Sequence, residues 1–263
     1  MGRLLSPSPP FAPLAHPGRR QLLRLGGAAL AGATAGCATR GPDQPARSEV
    51  VPFSTSDRLG ALPDGWRLHV TRPDRPVTGY RLAQVDGRVA LHARSQGGTS
   101  GVRCDVDIDL AERPWLRWEW RVDQIPAEAT VADDDQDDCP ARLVLGFAGD
   151  NSRLSLRDRL FADQVDLFTG VSLPFATLCY VWDGQAARET VLPYARSGRI
   201  RYLVVESGAA GLGQWHAYRR NVAADYQRVY GEPPGRLIGV GVLTDSDDLK
   251  GSAEAWYGDL VIE

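Results

Sequence analysis

An arginine inside an apolar strand is the first residue that asks for a chemical explanation. Arg142 precedes Leu143-Val144-Leu145-Gly146-Phe147, and a guanidinium in such a run is costly unless it is paired. Asp138, Glu206 and Asp245, each at or near the end of an apolar strand, are its natural partners. Paired, Arg142 either ties two strands together or offers a planar fork to a carboxylate, a phosphate or vicinal hydroxyls. Tyr180, Trp182 and Trp215 could floor a binding surface, because an aromatic face stacks on the C–H face of a sugar ring. Ordinary core packing is the alternative for them. Trp118 and Trp120 alternate with charges and read as core.

Carboxylates supply the other chemistry. The run Asp133-Asp134-Asp135-Gln136-Asp137-Asp138 reads as a solvated acidic loop, a calcium loop or part of a catalytic site. Calcium takes roughly six to eight oxygens, for which Asp137 and Asp138 are the candidates in this run. Asp245-Ser246-Asp247-Asp248, with Gly251, is a second candidate. Neither matches the spacing of an EF-hand, and calcium is the one cofactor left open. A glycosidase needs two carboxylates about 5–10 Å apart, which Asp138, Glu206, Asp245 and Asp247 could provide. There is no zinc spacing and no nucleotide glycine loop, and Glu206-Ser207-Gly208 lacks the flanks of a serine-hydrolase elbow. A non-enzymatic binding module is therefore favoured over an enzyme.

The elements that must position these residues are mostly strands. Tyr80–Val85, Asp86-Gly87 and Arg88–His92 form a predicted hairpin, since Asp-Gly suits a type I′ turn. Val102, Cys104, Val106, Ile108 and Leu110 alternate with Arg103, Asp105, Asp107 and Asp109, which predicts a half-buried strand. Leu116, Trp118, Trp120 and Val122 alternate likewise with Arg117, Glu119 and Arg121. Further strands are predicted at 141–148, 178–182, 200–206, 214–218, 237–244 and 255–262. Two helices interrupt them. One spans 154–168, with Leu156, Leu160, Phe161, Val165 and Phe168 spaced for one apolar stripe. The other spans 221–230 and is closed by Gly231 and Pro233-Pro234. About ten short strands predict a mainly β fold: one jelly-roll-like antiparallel sandwich over 58–263, with two short helices.

Beyond Cys37, the thiols are Cys104, Cys139 and Cys179. Three allow one intrachain bridge at most. Cys139 opens one predicted strand and Cys179 lies in another, so they are the expected pair. Cys104 sits on the apolar side of its alternation and reads as a buried, inert thiol.

Several strings together resemble a known bacterial family. They are Asp137-Asp138-Cys139-Pro140-Ala141-Arg142, Tyr180-Val181-Trp182, Arg220-Asn221-Val222-Ala223-Ala224-Asp225-Tyr226, Thr244-Asp245-Ser246-Asp247 and Tyr257-Gly258-Asp259. In this order, across roughly 60–263, they are similar to the family called domain of unknown function 3047. The resemblance implies an exported, mainly β protein and leaves its activity open. Cys139 stands where the family usually has an aromatic, and Asp248-Leu249 where it tends to have Asn-Thr. The charges and polar aromatics of these strings fall at strand ends or inside apolar strands. Arg142, Tyr180, Trp182, Glu206, Asp225, Asp245 and Asp247 are therefore expected to converge on one side of the sandwich as a ligand site.

The N-terminus carries an address. Residues 1–36 hold Arg3, Arg19, Arg20 and Arg24 and no acid. The string Arg19-Arg20-Gln21-Leu22-Leu23-Arg24 resembles a twin-arginine export signal. The apolar run Leu25 to Ala35 is too short for a bilayer, which needs about 20 residues. Thr34-Ala35-Gly36-Cys37 resembles a lipobox, making Cys37 the expected lipidation site, and 37–57 reads as a flexible tether. Ala38 after Cys37 is not acidic, which points to a periplasmic protein anchored in the outer membrane. The 263 residues carry a formal net charge of −3, and loss of residues 1–36 removes four arginines and lowers it to about −7. No basic surplus is available for a nucleic acid backbone. The membrane is met through the lipid anchor only. The expected partner is an envelope glycan or a small polar ligand, bound or cleaved on the same face; a structural role with a protein partner is the third alternative.

Overall fold

In the computed structural model the described residues are 46–263, so the export signal, Cys37 and the first part of the tether lie outside them. Two sheets pack face to face. The seven-stranded sheet has the order β1 (Trp66–His69), β4 (Thr99–Ile108), β11 (Leu237–Asp245), β6 (Ala141–Phe147), β7 (Ala176–Asp183), β9 (Ile200–Ser207), β8 (Val191–Pro193). The second sheet has the order β10 (Trp215–Asn221), β5 (Trp115–Gln124), β12 (Ser252–Tyr257), β3 (Arg88–Gln96), β2 (Gly79–Val85), with β13 (Val261–Ile262) also paired to β5. The fold is a mainly β sandwich, as the alternations predict. All neighbours are antiparallel except β7 and β9, which run parallel. The β2–β3 turn has positive φ at both Asp86 and Gly87 (50° and 76°), as a type I′ turn requires.

Period two explains the core. On the seven-stranded sheet, Val102, Leu143, Leu145, Leu178, Tyr180 and Trp182 point inward. They meet Leu82, Leu91, Leu116, Trp118, Trp120 and Tyr257 of the other sheet. Each large side chain buried this way contributes roughly 1.5–3 kcal/mol. The outer face carries a second, smaller apolar cluster built on Cys139, Cys179, Val181, Tyr202 and Val204.

Three expectations are corrected here. The tether does not extend to 57: Arg47 bridges to Val106, and Val50 and Phe53 are buried in the core. The backbone N–H of Phe53 donates to Asp259 at 2.7 Å. The disulfide is absent, and Cys104, Cys139 and Cys179 are buried free thiols. Cys179 pairs in register with Val144, whereas Cys139 lies two residues before Ala141, the partner of Trp182. At about 3.3 Å per strand residue the two cysteines are well beyond the roughly 7 Å a bridge can span.

The third correction concerns α1 (Leu156–Thr169). Its stripe does not enter the core: Leu156, Leu160 and Phe168 are exposed. The helix is docked by Asp158 instead. That carboxylate accepts from Ser197 Oγ at 2.8 Å and from the Gly198 N–H at 2.7 Å, and Ser155 caps the helix N-terminus. By contrast α2 (Val222–Tyr230) follows the sequence closely, with Asn221 as N-cap and Gly231 at φ 73° closing it. No helix among the described residues is long and apolar enough to cross a membrane.

Candidate functional site

A groove of about 700 Å³ crosses the outer face of the seven-stranded sheet, a size common for small-ligand sites. Its floor is partly bare backbone. Gly239 and Gly241 of β11 sit opposite Gly146 and Val144 of β6, so alternate residues of β11 present no side chain to that face. An added Cβ at Gly239 would meet nothing within 4 Å. The α1 residues Phe161 and Val165, with Leu173 and Pro174, form one wall, while His69, Arg103 and Asp105 lie on the other.

Arg142 stands at one end, turned outward because its neighbours Ala141 and Leu143 face the core. One terminal nitrogen donates to Tyr202 Oη at 3.0 Å. The other donates to Asp137 Oδ1 at 2.9 Å and Asp245 Oδ2 at 3.0 Å. The guanidinium also lies 5.2 Å from the Tyr202 ring centroid. Its buried Nε has no acceptor among the described residues, and such a donor costs about 1–3 kcal/mol. Asp245 Oδ1 accepts from the Cys139 N–H at 2.7 Å, and Tyr202 Oη donates to Asp137 Oδ2 at 3.1 Å.

Burial dominates the electrostatics. It pushes the Asp245 carboxyl well above the usual carboxylate range, against the pull of Arg142. Asp137 is raised for the same reason. Burial alone would lower Arg142, but Asp137 and Asp245 outweigh it and keep the guanidinium charged. His69 is lowered to about 4 by burial and by Arg103 and Arg67, so it faces the groove as a neutral imidazole at pH 7.

The acidic run divides. Asp133, Asp134 and Asp135 face solvent, while Asp137 and Asp138 turn inward and apart. Asp137 goes to Arg142. Asp138 accepts from the backbone N–H groups of Asp248 and Leu249 at 3.0 and 2.9 Å. Asp137 and Asp138, the calcium candidates of this run, therefore turn to different partners. Oxygens of Asp138, Asp247 and Asp248 lie within 4.8 Å of one another. That cluster is already occupied by hydrogen bonds, and Arg72 reaches Asp247 at 3.1 Å.

The seven expected site residues do not converge. Arg142, Asp245 and Asp247 line the groove. Tyr180 and Trp182 point the other way, fully buried between the sheets. Tyr180 stacks on Trp118 at 5.1 Å and donates to Asp225 Oδ2 at 2.7 Å, and Trp182 Nε1 donates to Gly208 O at 2.9 Å. Asp225 is held by Arg220 at 2.7 Å, and Arg220 continues to Glu189 at 2.6 Å. Glu206 accepts from Tyr218 Oη at 2.8 Å and pairs with Arg188 at 3.0 Å. The reason is parity: Arg142 pairs with Val181 across β6 and β7, which puts residues 180 and 182 on the opposite face. Trp215 lies on the second sheet, donating to Asp86 at 2.8 Å. Sequence reasoning missed Tyr202 and the bare glycines. The signal was there in Gly239-Val240-Gly241-Val242, since glycine inside a strand marks a close approach or a bare face.

A family model described as "Protein of unknown function (DUF3047)" matches residues 64–261, and the chain belongs to that family. No curated protein matches the sequence. Among solved structures, the chain is similar to Endoglucanase 3 of Trichoderma harzianum, from family GH12, at 7% identity and a TM-score of 0.42. The match covers 78% of this chain and 93% of that one.

Proposed function

We propose that this β-sandwich protein binds a carbohydrate or similarly hydroxylated ligand in the groove of its seven-stranded sheet, as an exported, lipid-anchored component of the cell envelope. The observation that carries the reading is the juxtaposition of a bare glycine floor with the Arg142–Asp137–Tyr202–Asp245 cluster. A ring can lie against backbone where side chains are missing, and the cluster's carboxylates, phenol and guanidinium offer acceptors and donors for hydroxyls. Probing glycans with the full chain tests this. Binding without turnover is expected, and no binding to any glycan overturns it.

A hydrolytic reading draws on one observation, the raised carboxyl groups of Asp137 and Asp245 beside the same guanidinium. Against it, Asp245 already spends both oxygens on Arg142 and the Cys139 N–H. Cleavage of a bound glycan, abolished by Asp137→Asn, would favour the enzyme.

Location rests on the N-terminal sequence. Wild-type protein should fractionate with membranes and carry acyl mass, and Cys37→Ser should release it. A wild-type protein already soluble and unacylated refutes the anchor. Export should stop when Arg19-Arg20 becomes Lys-Lys, and continued export refutes the twin-arginine route.

A further inference from the structure

Buried charge is concentrated at one end of the groove; His69, Arg103 and Asp105 line its β4 side, and Arg196 lies 5.0 Å over the Phe161 ring. Arg142, Asp137, Asp245, Asp247 and Arg72 gather at the β6–β11 end that also holds Tyr202. Four residues along β6, about 13 Å away at the strand rise, lies Gly146, roofed by Pro174. Here Phe161, Val165, Leu173, Pro174, Ile200 and Ile238 face the space. Between the two ends the β6–β7 floor is Val144 and Cys179. The thiol adds no charge, because burial raises it to about 12. Over this strip a glycan would meet mainly apolar side chains.

The wall also continues outward as apolar surface. Leu160 and Phe168, on the helix that supplies Phe161 and Val165, are 60% and 66% exposed. At the polar end, Asp137, Asp245, Asp247 and Asp248 outnumber Arg142 and Arg72, which disfavours an anionic head.

We infer that the groove takes a single-chain amphiphile, with a neutral hydroxylated head at Arg142 and an alkyl chain along β6, β7 and α1. The inference rests on the groove being the ligand site and adds the chain to it.

Calorimetric titration of the full chain with maltose and with hexyl, octyl and decyl maltosides, each below its micelle concentration, tests this. Affinity should rise about fourfold per added methylene, the gain that burying one methylene supports. Val165→Asp on the half-exposed helix face should flatten that rise while the melting temperature stays that of the wild-type chain. Gly239→Phe, placed in open space, should abolish both the rise and maltose binding. Maltose binding with no chain-length dependence overturns the inference and leaves the hydroxylated-ligand reading intact. A chain-length dependence that survives in Gly239→Phe puts the chain elsewhere and overturns it, as does failure of every maltoside to bind. Equal affinity for alkyl phosphocholines overturns the assignment of the head.

Discussion

Two ion networks flank β7. On its outer side Arg142 holds Asp137 and Asp245 beside the groove, under Tyr202. On its inner side Tyr180 begins a relay through Asp225 and Arg220 to Glu189, which is half exposed. Burial raises the carboxyls of the first network. In the second, hydrogen bonds from Arg220 lower Glu189 to about 2 despite the opposing effect of burial. The relay to Glu189 behaves as a strut, with its end charge well paired and wet. The Arg142 cluster keeps charge dry at the edge of an open groove, where folding gains little from it and a polar ligand gains much.

The largest effects should come from the residue on each side that its surroundings cannot replace. Trp182→Ala empties a fully buried site and should lower the unfolding free energy by about 3–5 kcal/mol. Arg142→Ala leaves Asp137 and Asp245 stranded and should cost a similar amount, about 3–5 kcal/mol. Urea unfolding measures both. If Trp182→Ala instead keeps its stability and loses ligand, the inner aromatics floor the site and the contrast collapses. Combining Arg142→Ala with Asp245→Asn should cost less than the sum of the two single changes. Strict additivity would separate the pair.

A middle-sized effect is expected from Tyr180→Phe, which removes one bond to a carboxylate that Arg220 still holds. A loss of about 1–2 kcal/mol in the same assay, with ligand affinity unchanged, fits a strut. A change in affinity would join the inner network to the site.

The smallest effect distinguishes the networks by sign. Glu189 is depressed, so its contribution is present above its unfolded value near 4.5 and is lost as pH falls toward 2. Being half exposed, it is worth only about 0.5 kcal/mol, and Glu189→Gln should flatten the acid side of the stability profile by that much. Asp137 and Asp245 are raised, so their contribution is complete below about 3.8 and is lost as pH rises through their folded values. Asp245→Asn should therefore flatten the other side. Slopes of unfolding free energy against pH that change in the same direction in both variants would contradict the assignment.

The sandwich was largely legible because strand alternation, Asp86-Gly87 and the Asn221–Gly231 helix are local signals. Arg142 and Asp245 were legible too, as charges that a β core tolerates only when paired. What failed was anything that needs register. Residues 142, 180 and 182 all look noteworthy in sequence, yet which face each takes follows from pairing β6 to β7, and that is a long-range fact. The α1 stripe misled for a related reason. Periodicity shows that a helix has an apolar face, but here the neighbouring surface is a groove, so Phe161 and Val165 line space while Leu156 and Leu160 meet solvent.

The central claim is that the working face is the outer side of the seven-stranded sheet. Gly239→Phe tests it most directly, because it fills the groove where no neighbouring atom is displaced by the new Cβ. Binding of a glycan that the wild-type chain retains should be measured for both proteins, alongside their melting temperatures. The account predicts an unchanged melting temperature and binding weakened at least tenfold. Undiminished binding by a folded Gly239→Phe protein would contradict it.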